Sequence, residues 1–215
     1  MKRIIFTCLS LLLLCALSSI QAKELIKNYE SVITIDSDSS LSITETITVN
    51  AEGNKIKRGI YRDFPTKYKD IYGNHYQVDF NLLSVMRNGK AEKYHTESIT
   101  NGIRIYIGNK KHFLKHGEHT FTLQYYTNRQ LGFFEQFDEL YWNITGNGWA
   151  FPILRASATI QLPDGVSVNQ IETNGYTGEK GDKGGNFDIS MLDDNRVLFE
   201  TIEPLPLHHG LSIVV

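Results

Sequence analysis

An antiparallel β-sandwich of roughly ten or more strands, an all-β fold, is what this sequence predicts. Three observations carry that reading. Segment after segment alternates apolar and polar residues with period two, as half-buried strands do. The segments are joined by short turns built from Gly, Asn, Asp and Pro. Beyond residue 22, no stretch sustains a helical period.

Residues 1–22 read as a secretory signal. Lys2 and Arg3 give a basic start, and Ile4 to Leu17 is apolar apart from Thr7 and Ser10. Ser18, Ser19 and Ala22 then supply a small-residue exit before Lys23. The apolar run is shorter than the ~20 residues that span a bilayer, which disfavours an uncleaved anchor. Cys15 follows Leu13 and Leu14, where a lipid-attachment signal would carry a small residue. Both cysteines, Cys8 and Cys15, fall in this segment, so the mature domain 23–215 has no thiol and no disulfide. Its hydrophobic core must hold it together. A chain of about 190 residues is long enough to bury one. Without Lys2 and Arg3, 20 basic residues stand against 24 acidic, a mature net charge near −4. That balance argues against nucleic-acid binding. The locally basic run "NKIKRGIYR" (54–62) reads as a solvated loop.

The strands follow in order. Residues 25–36 and 40–50 form a hairpin about "DSDSS", with Leu41, Ile43, Ile47 and Val49 on one face of the return. "YQVDFNLLSV" (76–85) is read as one strand that turns at Asn88-Gly89. "AEKYHTES" returns, turns at Asn101-Gly102 and leads into "IRIYIG". "EHTFTLQYYT" aligns Phe121, Leu123 and Tyr125. Residues 131–140 are the one place where a helical turn is expected. "LYWNI" alternates Leu140, Trp142 and Ile144 toward the core, turns at Gly146-Asn147-Gly148, and returns through Trp149 and Pro152. "RASATIQLP", "VSVNQIE", "FDISML", "RVLFETI" and "LSIVV" complete the strands. The chain stops inside that last apolar strand, which points to continuation into a further region.

Glu45 breaks the pattern, because it sits between Ile43 and Ile47 on the apolar face. A lone buried carboxylate is costly, so it must be paired, neutral or able to reach water. Arg62 in "GIYRDFP" is the candidate partner, since its fork can hold a carboxylate through two hydrogen bonds. A bulge or edge that exposes Glu45 is the alternative.

Few constellations point to chemistry. His112, His116 and His119 would bring metal ligands together only on a continuous helix, and Gly117 followed by a strand pattern argues for a hairpin connection. Asp138 and Glu139 stand at the entrance of the tryptophan segment as possible ligand contacts. There is no nucleophile-elbow motif, and "GEKGDKGG" (178–185) lacks the Gly-Lys-Ser/Thr of a phosphate loop, so no cofactor is expected. Asn143-Ile144-Thr145 fits a glycosylation triplet but lies in a strand pattern. Phe133, Phe134 and Phe137 either cap the sandwich, at least two of them, or expose a tip that touches a membrane.

The chain resembles the N-terminal extracytoplasmic domain of the YciQ-like predicted bacterial membrane proteins. The resemblance rests on "SLSITETITV", "RGIYRDFP", "IYIG", "GEHTFTLQYY", "DELYWNITGNGWAFPI", "IQLP" and "PLPLHHGLSIVV" in that order. Glu45, Arg62, Trp142, Trp149 and Pro152 fall on its motif positions. It implies an exported β-rich domain followed by transmembrane helices, and no catalytic residues to transfer. The function expected is a non-catalytic ligand- or protein-interaction module of the cell envelope, at the outer face of the membrane. Its partner would be an envelope protein or a glycan, with membrane association if a longer chain carries a transmembrane segment. The alternative is a carbohydrate-binding or carbohydrate-cleaving domain using Trp142, Trp149 and nearby carboxylates. Exposure of the indoles beside Asp138 and Glu139 would distinguish the two.

Overall fold

The computed structural model describes residues 23–70 and 72–215, so the signal segment and both cysteines lie outside the described residues. Seventeen strands are described, all but one pair antiparallel. The first hairpin is β1 (Leu25–Ile35) and β2 (Leu41–Ala51), close to its predicted bounds. There follow β3 (Gly59–Pro65), the small hairpin β4 (Lys67–Lys69) and β5 (His75–Gln77), and β6 (Phe80–Arg87) with β7 (Lys90–Ala91). Next come β8 (Tyr94–Ile99), β9 (Gly102–Gly108), β10 (Gly117–Thr127), β11 (Leu131–Phe133), β12 (Asp138–Asn143) and β13 (Ala156–Gln161). The chain ends with β14 (Asn174–Gly178), β15 (Phe187–Asp193), β16 (Arg196–Thr201) and β17 (Gly210–Val214).

One layer is an eight-stranded sheet in the order β15-β16-β13-β1-β2-β10-β6-β7. Its two halves meet where β1 pairs with β13 in parallel, Tyr29 opposite Ala156. The facing layer is divided into a three-stranded sheet, β3-β9-β8, and a four-stranded sheet, β11-β12-β17-β14. Between the layers lies one continuous core. Period-two patterning sends Ile43, Ile47 and Val49 of β2 and Phe121, Leu123 and Tyr125 of β10 inward, where all are buried. Each fully buried Leu, Ile or Phe contributes about 1.5–3 kcal/mol relative to exposure. Phe64 of β3 packs against Tyr125 of the large sheet and Trp142 of β12, tying the three sheets together.

Several expected elements differ. The segment "YQVDFNLLSV" is split, because Val78 is buried with its N–H donated to the Thr66 carbonyl and the Asp79 N–H is taken by Asn128. In 131–140 there is no helical turn. Leu131 pairs with Leu140, and the Phe134 N–H donates to the Phe137 carbonyl to close a hairpin. Of "VSVNQIE", Val168–Gln170 is a 3-10 turn, because Ser167 and Gln170 form a reciprocal capping box. Strand β14 lies in a Gly-containing stretch whose sequence pattern suggests only a turn. At the start of the domain, Glu24 accepts backbone N–H bonds from Glu52, Asn54, Lys55 and Ile56, and so fixes the basic loop as it leaves β2. Among the described residues, no helix is long and apolar enough to cross a membrane.

Candidate functional site

The site is built over a buried ion pair. Glu45 of β2 is fully buried, and Arg62 of β3 reaches it across the core with Nε and Nη2 at 3.0 and 2.9 Å. Tyr125 of β10 donates its hydroxyl to the same carboxylate at 2.7 Å. Arg62 also donates to the Asp63 carbonyl and, from Nη2, to the Ile144 carbonyl at 3.1 Å. Of the two alternatives for Glu45, the structure holds the pair and not the exposed bulge. Burial opposes charge on Arg62, but the adjacent Glu45 outweighs it and keeps the guanidinium well above the usual arginine range. Burial, reinforced by Glu45, pushes the Tyr125 phenol up, so it stays a neutral donor.

Over this pair lies a cavity of about 520 Å³. One wall is the edge of β3, and the other is β12 with the turn that follows it. Tyr61, Phe64, Tyr68, Tyr141, Trp142 and Trp149 supply aromatic surface, and Lys180 stands at the rim. The turn is held by Asn143, which accepts the Gly146 N–H and donates to Asn147. Gly146 has φ +71°, and a Cβ there would lie 2.8 Å from Arg62 Nη1, so both conformation and space call for glycine.

The two tryptophans are treated differently. Both are buried, at 6% and 7% exposure. Trp149 donates its indole N–H to the Thr145 carbonyl at 2.8 Å, and its ring meets Tyr29 edge-on. Among the described residues, the indole N–H of Trp142 has no hydrogen-bond partner, nor have the buried hydroxyls of Tyr29 and Ser31. Pro152 anchors the return, its carbonyl accepting the Ile26 N–H. The residues of the sequence fingerprint thus converge on one place: Glu45 and Arg62 beneath, the two indoles in the walls, Pro152 behind.

Other candidates fall elsewhere. Asp138 and Glu139 begin β12 outside the cavity lining, so the arrangement of open indoles beside two carboxylates is not the one found. His112 lies in a non-helical connection and His116 beside Glu52, both exposed, while buried His119 sits on β10 with Nε2 at 2.7 Å from the Lys115 carbonyl. The three share no helical face because the connection never forms a helix, and among the described residues no group of three metal-ligating side chains occurs. Phe133, Phe134 and Phe137 do not cap the sandwich. The β11–β12 hairpin carries them outward, where they are 65%, 51% and 55% exposed. Asn143 is exposed, but Thr145 of its triplet is buried and accepts the Leu211 N–H. The rim residues Tyr61, Tyr68, Tyr141 and Lys180 were not candidates from sequence. The outward phase of "GIYRDFP" and "LYWN" marks Tyr61 and Tyr141, but nothing local says that the two edges meet.

Residues 25–199 match the family described as the N-terminal domain of a predicted membrane protein (DUF2207). The chain belongs to this family. It is 30% identical over 175 residues to the uncharacterized protein YciQ of Escherichia coli (strain K12), a match that covers 81% of this chain and 27% of YciQ. It therefore spans about a quarter of the length of that relative. Among solved structures, yeast LTA4 hydrolase aligns with a TM-score of 0.55 at 12% identity, over 88% of this chain and 28% of the hydrolase. An M1 zinc metallopeptidase from Deinococcus radiodurans aligns at 0.50 and 14% identity, over 88% of this chain and 42% of the peptidase. At such identities the likeness is one of fold. The family thus shares a β-rich framework with portions of these enzymes.

Proposed function

We propose that this chain is a non-catalytic interaction domain, presented on the extracytoplasmic side of a bacterial membrane by a protein of the DUF2207 family. The observation that carries the reading is the cavity above Arg62, which is walled by the broad aromatic surface of Tyr61, Phe64, Tyr68, Tyr141, Trp142 and Trp149. A cleft of about 520 Å³ is within the ordinary range for ligand sites. Its charged groups are largely committed to one another: Arg62 to Glu45, and Asp63 to Arg104 at 2.6 and 2.7 Å. Such groups are suited to shaping a surface rather than to moving protons. The signal read from residues 1–22 supports export, and the family description supports a membrane context.

Two measurements test this. Alkaline phosphatase fused after Val215 reports on export, and full activity is expected. A photo-cross-linking amino acid placed at Tyr141 in living cells is expected to give a discrete adduct. The same group at Val32, exposed on the outer face of the large sheet, is expected to give none. Release of product from peptide or glycan substrates by the purified protein would overturn the non-catalytic reading.

A further inference from the structure

The facing layer is divided, and the division has a specific chemistry. In an antiparallel pair, residues alternate between bonding the neighbouring strand and pointing their N–H and C=O away from it. Strand β3 pairs only with β9, through the phase that includes Ile60, Arg62 and Phe64. The Gly108 N–H donates to the Lys93 carbonyl, which turns residues 108, 106 and 104 of β9 toward β8 and leaves 107, 105 and 103 for β3. Tyr61 and Asp63 therefore face the cavity. On β12, Leu140 and Val215 exchange both backbone bonds and the Ile144 N–H donates to the Leu211 carbonyl, so Tyr141 and Asn143 point away from β17. Strand β11 pairs β12 only as far as Leu140.

Two free strand edges therefore bound one cavity. Among the described residues, the Tyr61 N–H and C=O, the Asp63 N–H and both backbone groups of Asn143 have no hydrogen-bond partner, whereas the Asp63 C=O is held by Arg62. Arg62 closes the floor by reaching from β3 to the Ile144 carbonyl. The rings of Tyr61, Tyr141 and Trp142 flank these edges.

We infer that this cavity takes an extended peptide segment of a partner protein, added as a strand between β3 and β12 so that the divided layer becomes one sheet. This rests on the interaction-domain reading and names its ligand class. A peptide backbone alternates donors and acceptors to its two sides, as these edges require, and its alternate side chains would meet the aromatic walls. A glycan has no such repeat.

The probe is a phage-displayed random dodecapeptide library selected on the purified protein, followed by synthesis of the tightest binder with single backbone N-methyl groups. An inserted strand donates to β12 and to β3 at successive residues. Methylation of either of two adjacent central residues is therefore expected to weaken binding about tenfold, the equivalent of one hydrogen bond. Tyr61→Pro removes an N–H that faces the cavity while leaving the β3–β9 bonds in place, and is expected to lose binding at least tenfold. Tyr141→Ser, which removes an exposed aromatic wall and leaves the core in place, is expected to weaken binding about tenfold and provides the second variant should Tyr61→Pro not fold. Sensitivity at alternate peptide positions only would mean addition to a single edge and would overturn the two-edged site. Binding indifferent to methylation, or binding of an arrayed bacterial glycan with no peptide selected, would overturn strand addition and leave the interaction domain standing. Binding of neither would overturn both.

Discussion

Trp149 and Trp142 lie in one short segment, are almost equally buried, and differ most in how their N–H groups are satisfied. The first has its N–H satisfied and the second does not. Trp149 packs on Tyr29 beside the framework of Glu45, Arg62 and Tyr125, whose charged groups and phenol are hydrogen-bonded to one another, although the Tyr29 and Ser31 hydroxyls next to them have no partner among the described residues. Both indoles line the cavity, and Trp142 stands on β12 close to the free backbone edges of Tyr61 and Asn143. A buried polar group left unpaired costs stability, typically about 1–3 kcal/mol. The contrast teaches that the charged centre of the core is satisfied within the fold, whereas single hydroxyl and indole groups around it are not. Framework groups should therefore matter to folding, and wall groups to binding.

The sharpest way to break this contrast is Glu45→Gln, which leaves a buried guanidinium without its counter-charge. A loss of about 3 kcal/mol is expected in denaturant unfolding, and unchanged stability would remove the framework from the account. Because Arg62 is held above its ordinary pKa, its contribution is present below that value and is lost only as pH rises past it. The loss is accordingly expected to be equal at about pH 7 and about pH 9.

The two tryptophans themselves give the next largest effect. Trp149→Phe strands the Thr145 carbonyl, whereas Trp142→Phe strands nothing. After the same change in ring size, Trp149→Phe is expected to be less stable than Trp142→Phe by about 1–3 kcal/mol. Equal thermal midpoints for the two variants would erase the distinction.

Glu24→Gln extends the framework to the loop it clamps. Partial burial opposes charge on Glu24, but the four backbone donors, Lys55 foremost, win and hold its pKa below the usual 4.5. Its contribution is present above about pH 4.5 and is lost as pH falls through the lowered folded value. Allowing for solvent screening, about 1 kcal/mol is expected at neutral pH, vanishing under acid. A wild-type-minus-variant difference that persists at low pH would contradict this.

At the smallest scale, Tyr141→Ser, on the exposed rim, is expected to shift stability by no more than about 0.5 kcal/mol. A larger shift in Tm would place the rim within the framework.

Alternation in 41–50 placed Ile43, Ile47 and Val49 inward, and by the same token exposed Glu45 as the exception that required Arg62. The signal was strong because one buried charge among isoleucines has few physical solutions. Leu140, Trp142 and Ile144 were legible for the same reason. The split at Val78 and strand β14 were not, because each depends on bonds to distant partners: the Thr66 carbonyl with Asn128, and the β17 edge. The 3-10 turn is carried instead by the local Ser167-x-x-Gln170 capping signature, which alternation in "VSVNQIE" masks. The cavity was the least legible feature. A free edge is a statement about what fails to pair, and pairing across the fold leaves little trace in any one segment. The phenylalanines at 133, 134 and 137 admit two readings for a related reason, since apolar composition cannot say whether a hairpin ends on the core or beyond it.

The parallel seam between β1 and β13 has a consequence in time. The β1–β2 hairpin can close as soon as its own residues are available, yet the other edge of β1 waits for Ala156–Gln161. Until then an eleven-residue strand with a buried-type face offers an open ladder to any passing chain. Non-local pairing of this kind slows folding. A polypeptide threaded across a membrane from its N-terminus would emerge with this edge first and its mate much later. The domain should therefore be most vulnerable to aggregation between those two moments, whatever its final stability.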